Sequence, residues 1–203
     1  MKVLLPESID DVTLEQYQKY QELLKREDLE QYPFNKRKLA IFTGIKMNIA
    51  NQISIKDINE MIAQIDTALE QTVVFKQRFF IDDVEFGFIP NLDKICGAEY
   101  FDLDKYSSEV EELHRTMAIL FRPITDRDSF GNYKIKDYNG TEELCDVMKL
   151  MPLSVVNGAL VFFSSLSNEL LNYIQRYTRE EQVREEKLQD TLASGDGMQP
   201  SMN

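Results

Sequence analysis

The chain has 203 residues, of which 43% are hydrophobic and 10% aromatic, so it can bury a core as one domain, with or without an extension. Its formal net charge of -12 repels phosphate backbones and anionic membrane surfaces, so we expect neither nucleic acid nor a membrane as a direct partner. Cys96 and Cys145 are isolated in the sequence, which indicates no disulfide framework and no zinc site and fits a reducing cytoplasm.

The first predicted helix follows a capping box. In Thr13-Leu14-Glu15-Gln16 the threonine hydroxyl can accept a bond from the Gln16 amide while the glutamine reaches back. A helix is therefore predicted over about 14–26. A short strand is predicted before it, over 2–5, ending at Pro6.

Two further helices are predicted in the first half of the chain. One covers 36–43 and ends at Gly44, because glycine enters the left-handed region at little cost. The other follows the cap residue Ser54 and has an apolar stripe at helical spacing, formed by Ile55, Ile58, Ile62, Ile65 and Leu69.

The hydrophobic period changes to two after Val74. Apolar and polar residues alternate on both sides of Asp82-Asp83, which predicts an antiparallel β-hairpin near 73–89 with a tight acidic turn. Since a lone hairpin is marginally stable in water, we expect its aromatic face to pack on the helices.

The single histidine, His114, lies on a predicted helix that ends before Pro123. It could be a general base or a metal ligand, and the cluster Glu99, Asp102 and Asp104 before that helix could bind a cation. However, the sequence has no second histidine and no EF-hand pattern, and acids are common before a helix N-terminus. We predict structural roles for these residues and no catalytic, cofactor or metal site.

Arg122 stands directly before Pro123, at the expected C-terminus of that helix. A cation there is stabilised by about 0.5 kcal/mol. Arg122 would pair with a carboxylate of the Asp102 cluster, or contact the backbone of a protein partner. The sequence leaves both alternatives open.

The last third is predicted to contain a short strand at Tyr133 and Ile135 and a helix from Thr141 to about Met151. Pro152 then suits the first turn of the longest helix. Its near-heptad seam consists of Val155, Ala159, Phe162, Leu166, Leu170, Tyr173 and Tyr177.

Core packing is the favoured interpretation for most of this seam, but the seam also suits contact with another protein. Gly158 would let another helix approach closely. The candidate partner-binding residues are Arg122, Phe162, Leu166, Leu170, Tyr173 and Tyr177.

The predicted fold class is mainly α, of the α+β type: a helical bundle with one small antiparallel hairpin and a long C-terminal helix. One helical domain is expected over 1–178. Residues 179–203 are charged and then rich in Gly and Ser, which predicts a helical extension and a flexible tail.

Four stretches of the sequence carry a family resemblance: "LPESIDDVTLEQYQKY", "FKQRFFIDDVEFGFIPNLDKICGAEYFDLDKY", "ELHRTMAILFRPI" and "YNGTEELCDVMKLMPLSVVNGALVFF". Together they resemble small virion-morphogenesis proteins of tailed double-stranded DNA phages, notably crAss-like phages. The resemblance covers roughly 1–175. Within this group of proteins, the chain is similar to tail assembly chaperones. It transfers no catalytic residues.

The resemblance implies a non-enzymatic phage assembly factor that binds other virion proteins and acts like a chaperone in head or tail morphogenesis. The alternative is a structural virion component, such as a connector, ring or cargo protein. The expected location is the bacterial host cytoplasm during assembly, or the virion, and a homo-oligomer is compatible with either role. A small metal-dependent enzyme using His114 and the Asp102 cluster is a third hypothesis.

Overall fold

The computed structural model describes residues 3–165, apart from the side chain of Asp93. Residues up to Ala159 belong to one compact unit, and a second unit begins at Leu160. The α-helices are α1 Leu14–Leu24, α2 Gln31–Thr43, α3 Met47–Ala50, α4 Ile55–Leu69, α5 Gly97–Tyr106, α6 Leu113–Leu120 and α7 Cys145–Met148. The strands are β1 Arg78–Ile81, β2 Val84–Phe88, β3 Phe121–Arg127 and β4 Tyr133–Ile135. A further helix, α8, starts at residue 153 and is helical through residue 165.

The predicted capping signals are confirmed. The Thr13 hydroxyl accepts from the Gln16 amide, and the Gln16 side chain accepts from the Thr13 amide at 2.9 Å. The Ser54 hydroxyl accepts from the Asp57 amide at 3.1 Å and starts α4. Both caps satisfy amides that have no partner within the helix, which fixes where the helices begin.

Helix α2 is longer than predicted but ends at Gly44 as expected. Gly44 has φ +70°, a conformation that glycine adopts without strain. The helix starts at Gln31, five residues before the predicted position 36. In the added part, Asn35 is buried and its side-chain amide donates to Asn59 Oδ1 of α4 at 3.2 Å, so a tertiary contact supports the extension.

The α+β class is confirmed, and the predicted hairpin is half of a larger sheet. β1 and β2 pair around a turn in which Asp82 has φ +48°. The whole sheet is antiparallel with strand order β1-β2-β3-β4. One face carries an aromatic cluster with ring centroids 5.0 to 5.5 Å apart, formed by Phe75, Phe79, Phe86, Phe88 and Phe121.

Strand β3 follows helix α6 directly and contains Pro123. The helix does end before the proline, at Leu120, but the chain continues directly as a strand. The Pro123 carbonyl accepts from the Lys136 amide at 2.9 Å. Because the last β3–β4 pair is Ile124 with Ile135, the proline lies at the end of that ladder, where its missing N–H costs little.

Three other predicted elements differ in the structure. The acids of the Asp102 cluster precede α6 as expected, but they lie within a helix of their own, α5, which the sequence does not predict. Residues 3–5 form no strand. The helix predicted from Thr141 to Met151 is reduced to the four residues of α7, although the Thr141 carbonyl accepts from the Cys145 amide at 2.8 Å, just ahead of it.

Helix α8 begins after Pro152, as predicted, and buries Val155 and Ala159. Gly158 does permit a close approach, but by an extended segment rather than a helix. A Cβ at this position would lie 2.8 Å from the carbonyl oxygen of Val74. The strand that follows this segment is β1, so Gly158 helps to place the start of the sheet against α8.

Within residues 3–165, none of the helices has the length and apolarity needed to cross a membrane.

Candidate protein-interaction site

Arg122 lies on strand β3, so its predicted position at a helix C-terminus is wrong. On this strand it pairs with Gly87 of β2 and points its guanidinium towards α5. Its Nη2 donates to Glu99 Oε1 at 2.5 Å, and both side chains are only 7% exposed. Of the two alternatives for Arg122, the geometry favours the pair with a carboxylate of the acidic cluster.

Glu99 also holds the start of its own helix. Its Oε2 accepts from the Cys96 amide at 2.7 Å, which is the returning half of a capping box. The carboxylate therefore joins the N-terminus of α5 to Arg122 on the sheet. The Arg122 Nε is buried and has no hydrogen-bond partner among the described residues.

Asp102 is used in a second internal bond. The Tyr138 hydroxyl donates to Asp102 Oδ2 at 2.5 Å, and the Tyr138 ring lies 5.6 Å from the Arg122 guanidinium carbon. Burial of the ring, together with the bond to Asp102, raises the pKa of Tyr138. The cluster that the sequence offers as a cation site thus fastens α5 to β3 and to the segment after β4.

His114 lies half-buried on α6, where its Nδ1 is 3.2 Å from the amide nitrogen of Gln18. The same amide donates to the carbonyls of Val110 and Glu111 at 2.9 and 2.8 Å. Burial, with nearby Lys149, lowers the pKa of His114. This is the arrangement of a structural helix histidine.

Within residues 3–165, no group of three or more His, Cys, Asp or Glu residues is arranged to hold a metal ion.

The clearest surface for binding another protein is the outer edge of strand β1. No described strand pairs with this edge, because β1 is the first strand of the sheet. The Gln77 carbonyl accepts from the Phe88 amide at 2.8 Å, so by alternation Phe79 and Ile81 also point their backbone groups at β2. The backbone groups of Arg78 and Phe80 therefore face outwards.

A groove of about 710 Å³ lies next to this edge, over the face of the sheet that carries Arg78, Phe80 and Glu85. Its lining comes mostly from β1 and the segment before it, with two residues from β2 and β3: Phe75, Lys76, Gln77, Arg78, Phe80, Glu85 and Arg127. We call it the β1 groove. Phe80 is 61% exposed in it, an unusual state for a large aromatic residue on a strand.

The β1 groove is cationic, in contrast to the whole chain. Three of its residues are basic and one is acidic. Lys76 pairs with Asp10 at 2.7 Å, and Arg127 pairs with Glu85 inside the groove. Arg78 forms no ion pair within residues 3–165. The sequence carried a signal for this site, because Phe80 occupies a position of the hairpin pattern where a polar residue is expected.

The seam predicted on the last helix is only partly described. Phe162 is half-buried in α8, with its ring centroid 5.7 Å from that of Phe163. Leu166, Leu170, Tyr173 and Tyr177, as well as the boundary expected at 178 and the extension 179–203, lie outside the described residues. Their role in partner binding stays a prediction.

Comparisons of the chain with known protein families, with curated proteins and with solved structures find no match.

Proposed function

We propose that this chain is a non-enzymatic phage assembly factor that binds other virion proteins and acts like a chaperone in head or tail morphogenesis. The phage context comes from the sequence resemblance. The protein-binding role is supported by one feature of the described surface, the outer edge of β1.

The β1 edge supports this role because proteins usually protect such an edge. An unpaired strand offers its N–H and C=O groups to any other extended chain, and natural sequences blunt it with charge, proline or a covering loop. Here the edge has Arg78 and Lys76 but also Phe80, which is 61% exposed. An exposed aromatic residue next to free backbone groups is typical of a binding surface.

The fate of the chemically versatile residues supports a non-enzymatic role. Glu99, Asp102, His114 and Arg122 all make internal bonds that hold secondary-structure elements together. A catalytic group must instead reach a substrate atom. We therefore assign these residues to stability.

Mass spectrometry during infection tests the proposal. The chain would be immunoprecipitated from lysates of infected cells, and purified mature particles would be quantified in parallel. We expect virion proteins to co-purify with the chain. In mature particles, the number of copies of the chain should be far below the number of copies of the virion protein that it binds. Recovery of the chain with no virion protein would refute the proposal.

The structural virion component is the second candidate, for which the charged helical extension predicted after Tyr177 would be a docking arm. It predicts stoichiometric copies in mature particles, so the same measurement separates the two candidates.

A further inference from the structure

We propose that the β1 groove binds an acidic, extended segment of a virion protein, which adds to the sheet as a fifth strand beside β1. This inference rests on the proposed function and specifies the chemistry and binding mode of its partner. It is carried by the backbone geometry of the edge, by Phe80 and by the local charge.

The backbone provides the affinity in this binding mode. Arg78 and Phe80 direct their N–H and C=O groups away from β2, and no described strand meets them. A peptide in β conformation would form ladder hydrogen bonds with both residues. Strand addition requires no rearrangement of the sheet, since the edge is already extended.

Side chains along the β1 groove select the partner. The buried residues Phe79 and Ile81 point to one face of the sheet, whereas Arg78 and Phe80 lie on the opposite face, which carries the groove. A partner strand placed beside β1 would present every second side chain to this face. Carboxylates at those positions would meet Arg78 and Lys76, and an apolar residue would cover Phe80.

Charge argues against two other occupants. A second copy of this chain would bring a second cationic edge next to the first, and both copies carry a net charge of -12. A nucleic acid would match the groove but would be repelled by the acidic chain as a whole. An acidic protein segment needs only short-range pairing with the groove and gains the strand hydrogen bonds as well.

The test uses the full chain and a labelled ten-residue peptide in which every second residue is aspartate, except for one central leucine that faces Phe80, and the residues between them are threonine. Two control peptides replace every aspartate by lysine or carry N-methyl groups on alternate amides, which remove hydrogen-bond donors along one edge. Fluorescence anisotropy would measure binding. We expect the aspartate peptide to bind at least tenfold more tightly than either control.

Two charge-reversal variants locate the site. Arg78→Glu removes the cation of the β1 groove that has no ion pair within the described residues, whereas Arg37→Glu makes the same charge change on the exposed surface of α2. Arg78→Glu should weaken binding of the aspartate peptide at least tenfold and Arg37→Glu less than twofold. Equal effects of the two variants, or equal binding of the N-methylated peptide, would overturn strand addition at β1.

The remaining outcomes distinguish the alternatives. Dimerisation that Phe80→Ser abolishes would assign the edge to a second copy and overturn the proposal. Binding of a single-stranded oligonucleotide at the β1 groove, without binding of the aspartate peptide, would also overturn the proposal.

If virion proteins co-purify equally with the wild type and with Arg78→Glu, the proposal for the β1 edge fails while the proposed function stands. If the peptide binds but no virion protein co-purifies, the proposed function fails.

Discussion

At the scale of single residues, the side chains that the sequence offered as candidate functional groups make contacts between secondary-structure elements. Arg122 and Glu99 form a buried ion pair between β3 and α5. His114 lies 3.2 Å from the side-chain amide of Gln18, which donates to two carbonyls just before α6. A buried pair contributes little net stability compared with apolar residues, but loss of one partner leaves an uncompensated charge. These residues should therefore affect folding rather than binding.

The ion pair gives the first prediction. Arg122→Met and Glu99→Leu should each lower the free energy of unfolding by about 3 kcal/mol, because each leaves one buried charge alone. The double variant should be clearly more stable than the sum of the single changes implies, since it removes both charges. Urea denaturation of all four proteins measures this coupling, and additive losses would show that the two side chains do not interact.

A second prediction concerns pH. Burial lowers the pKa of His114 below its ordinary value of 6.5. The unfolded chain therefore binds this proton more readily, and the stability contribution is complete above pH 6.5 and lost as the pH falls through the folded pKa.

His114→Gln should accordingly flatten the dependence of unfolding free energy on pH below 6.5. Urea denaturation at a series of pH values would check this. A variant curve parallel to that of the wild type would contradict it.

At the scale of secondary-structure elements, the sequence predicts the features that depend on interactions between neighbouring residues. The caps at Thr13 and Ser54, the stop at Gly44 and the hairpin were readable because each depends on a few neighbouring residues. β3 was not readable, because a proline argues against a central strand unless it lies at the end of a ladder, as Pro123 does.

Helix α5 and the place of the β1 groove in the sheet could not be predicted, for a similar reason, although Phe80 was a signal in the hairpin pattern. The helix lacks a strong apolar stripe and depends on distant partners, with Glu99 bound to Arg122 and Asp102 to Tyr138. The acids were visible in the sequence, but their partners are more than 20 residues away. The β1 groove likewise depends on strand order, which no local pattern contains.

A third prediction concerns the packing of β4 over the sheet. The Tyr133 hydroxyl donates to the Phe88 carbonyl at 2.9 Å, so its ring crosses Gly87. A Cβ at Gly87 would lie 2.5 Å from Tyr133 Cε2. Gly87→Ala should therefore lower the free energy of unfolding by roughly 1 to 3 kcal/mol.

Thermal and urea denaturation would measure the change at Gly87. Gly97→Ala is the matched control, because no atom lies within 4 Å of a Cβ there and alanine favours the helix. The double variant Gly87→Ala, Tyr133→Ala should lose less stability than the sum of its single changes. A neutral Gly87→Ala would show that the ring does not pack as described.

At the scale of the whole molecule, charge and core are distributed unevenly. The chain carries a net charge of -12, yet the β1 groove has three basic residues and one acidic residue. The buried apolar residues of the described part run from Ile9 to Ala159, within the first compact unit. Binding and stability are thus expected to respond to different substitutions.

The fourth prediction follows from the position of the core. Removal of residues 179–203 deletes none of these buried residues, so the melting temperature should change by no more than about 2 °C. Circular dichroism of the truncated chain would measure this. A large drop would mean that the removed residues contribute to the fold.

Zero-length cross-linking in infected cells tests the central claim most directly, because a carbodiimide joins an ammonium group to a carboxylate in contact with it. Lys76 lies in the β1 groove. Within the described residues, its only ion pair is with Asp10. We predict cross-links from Lys76 to aspartate or glutamate residues of a virion protein, detected by mass spectrometry. Abundant chain with no cross-link to any virion protein would contradict the account.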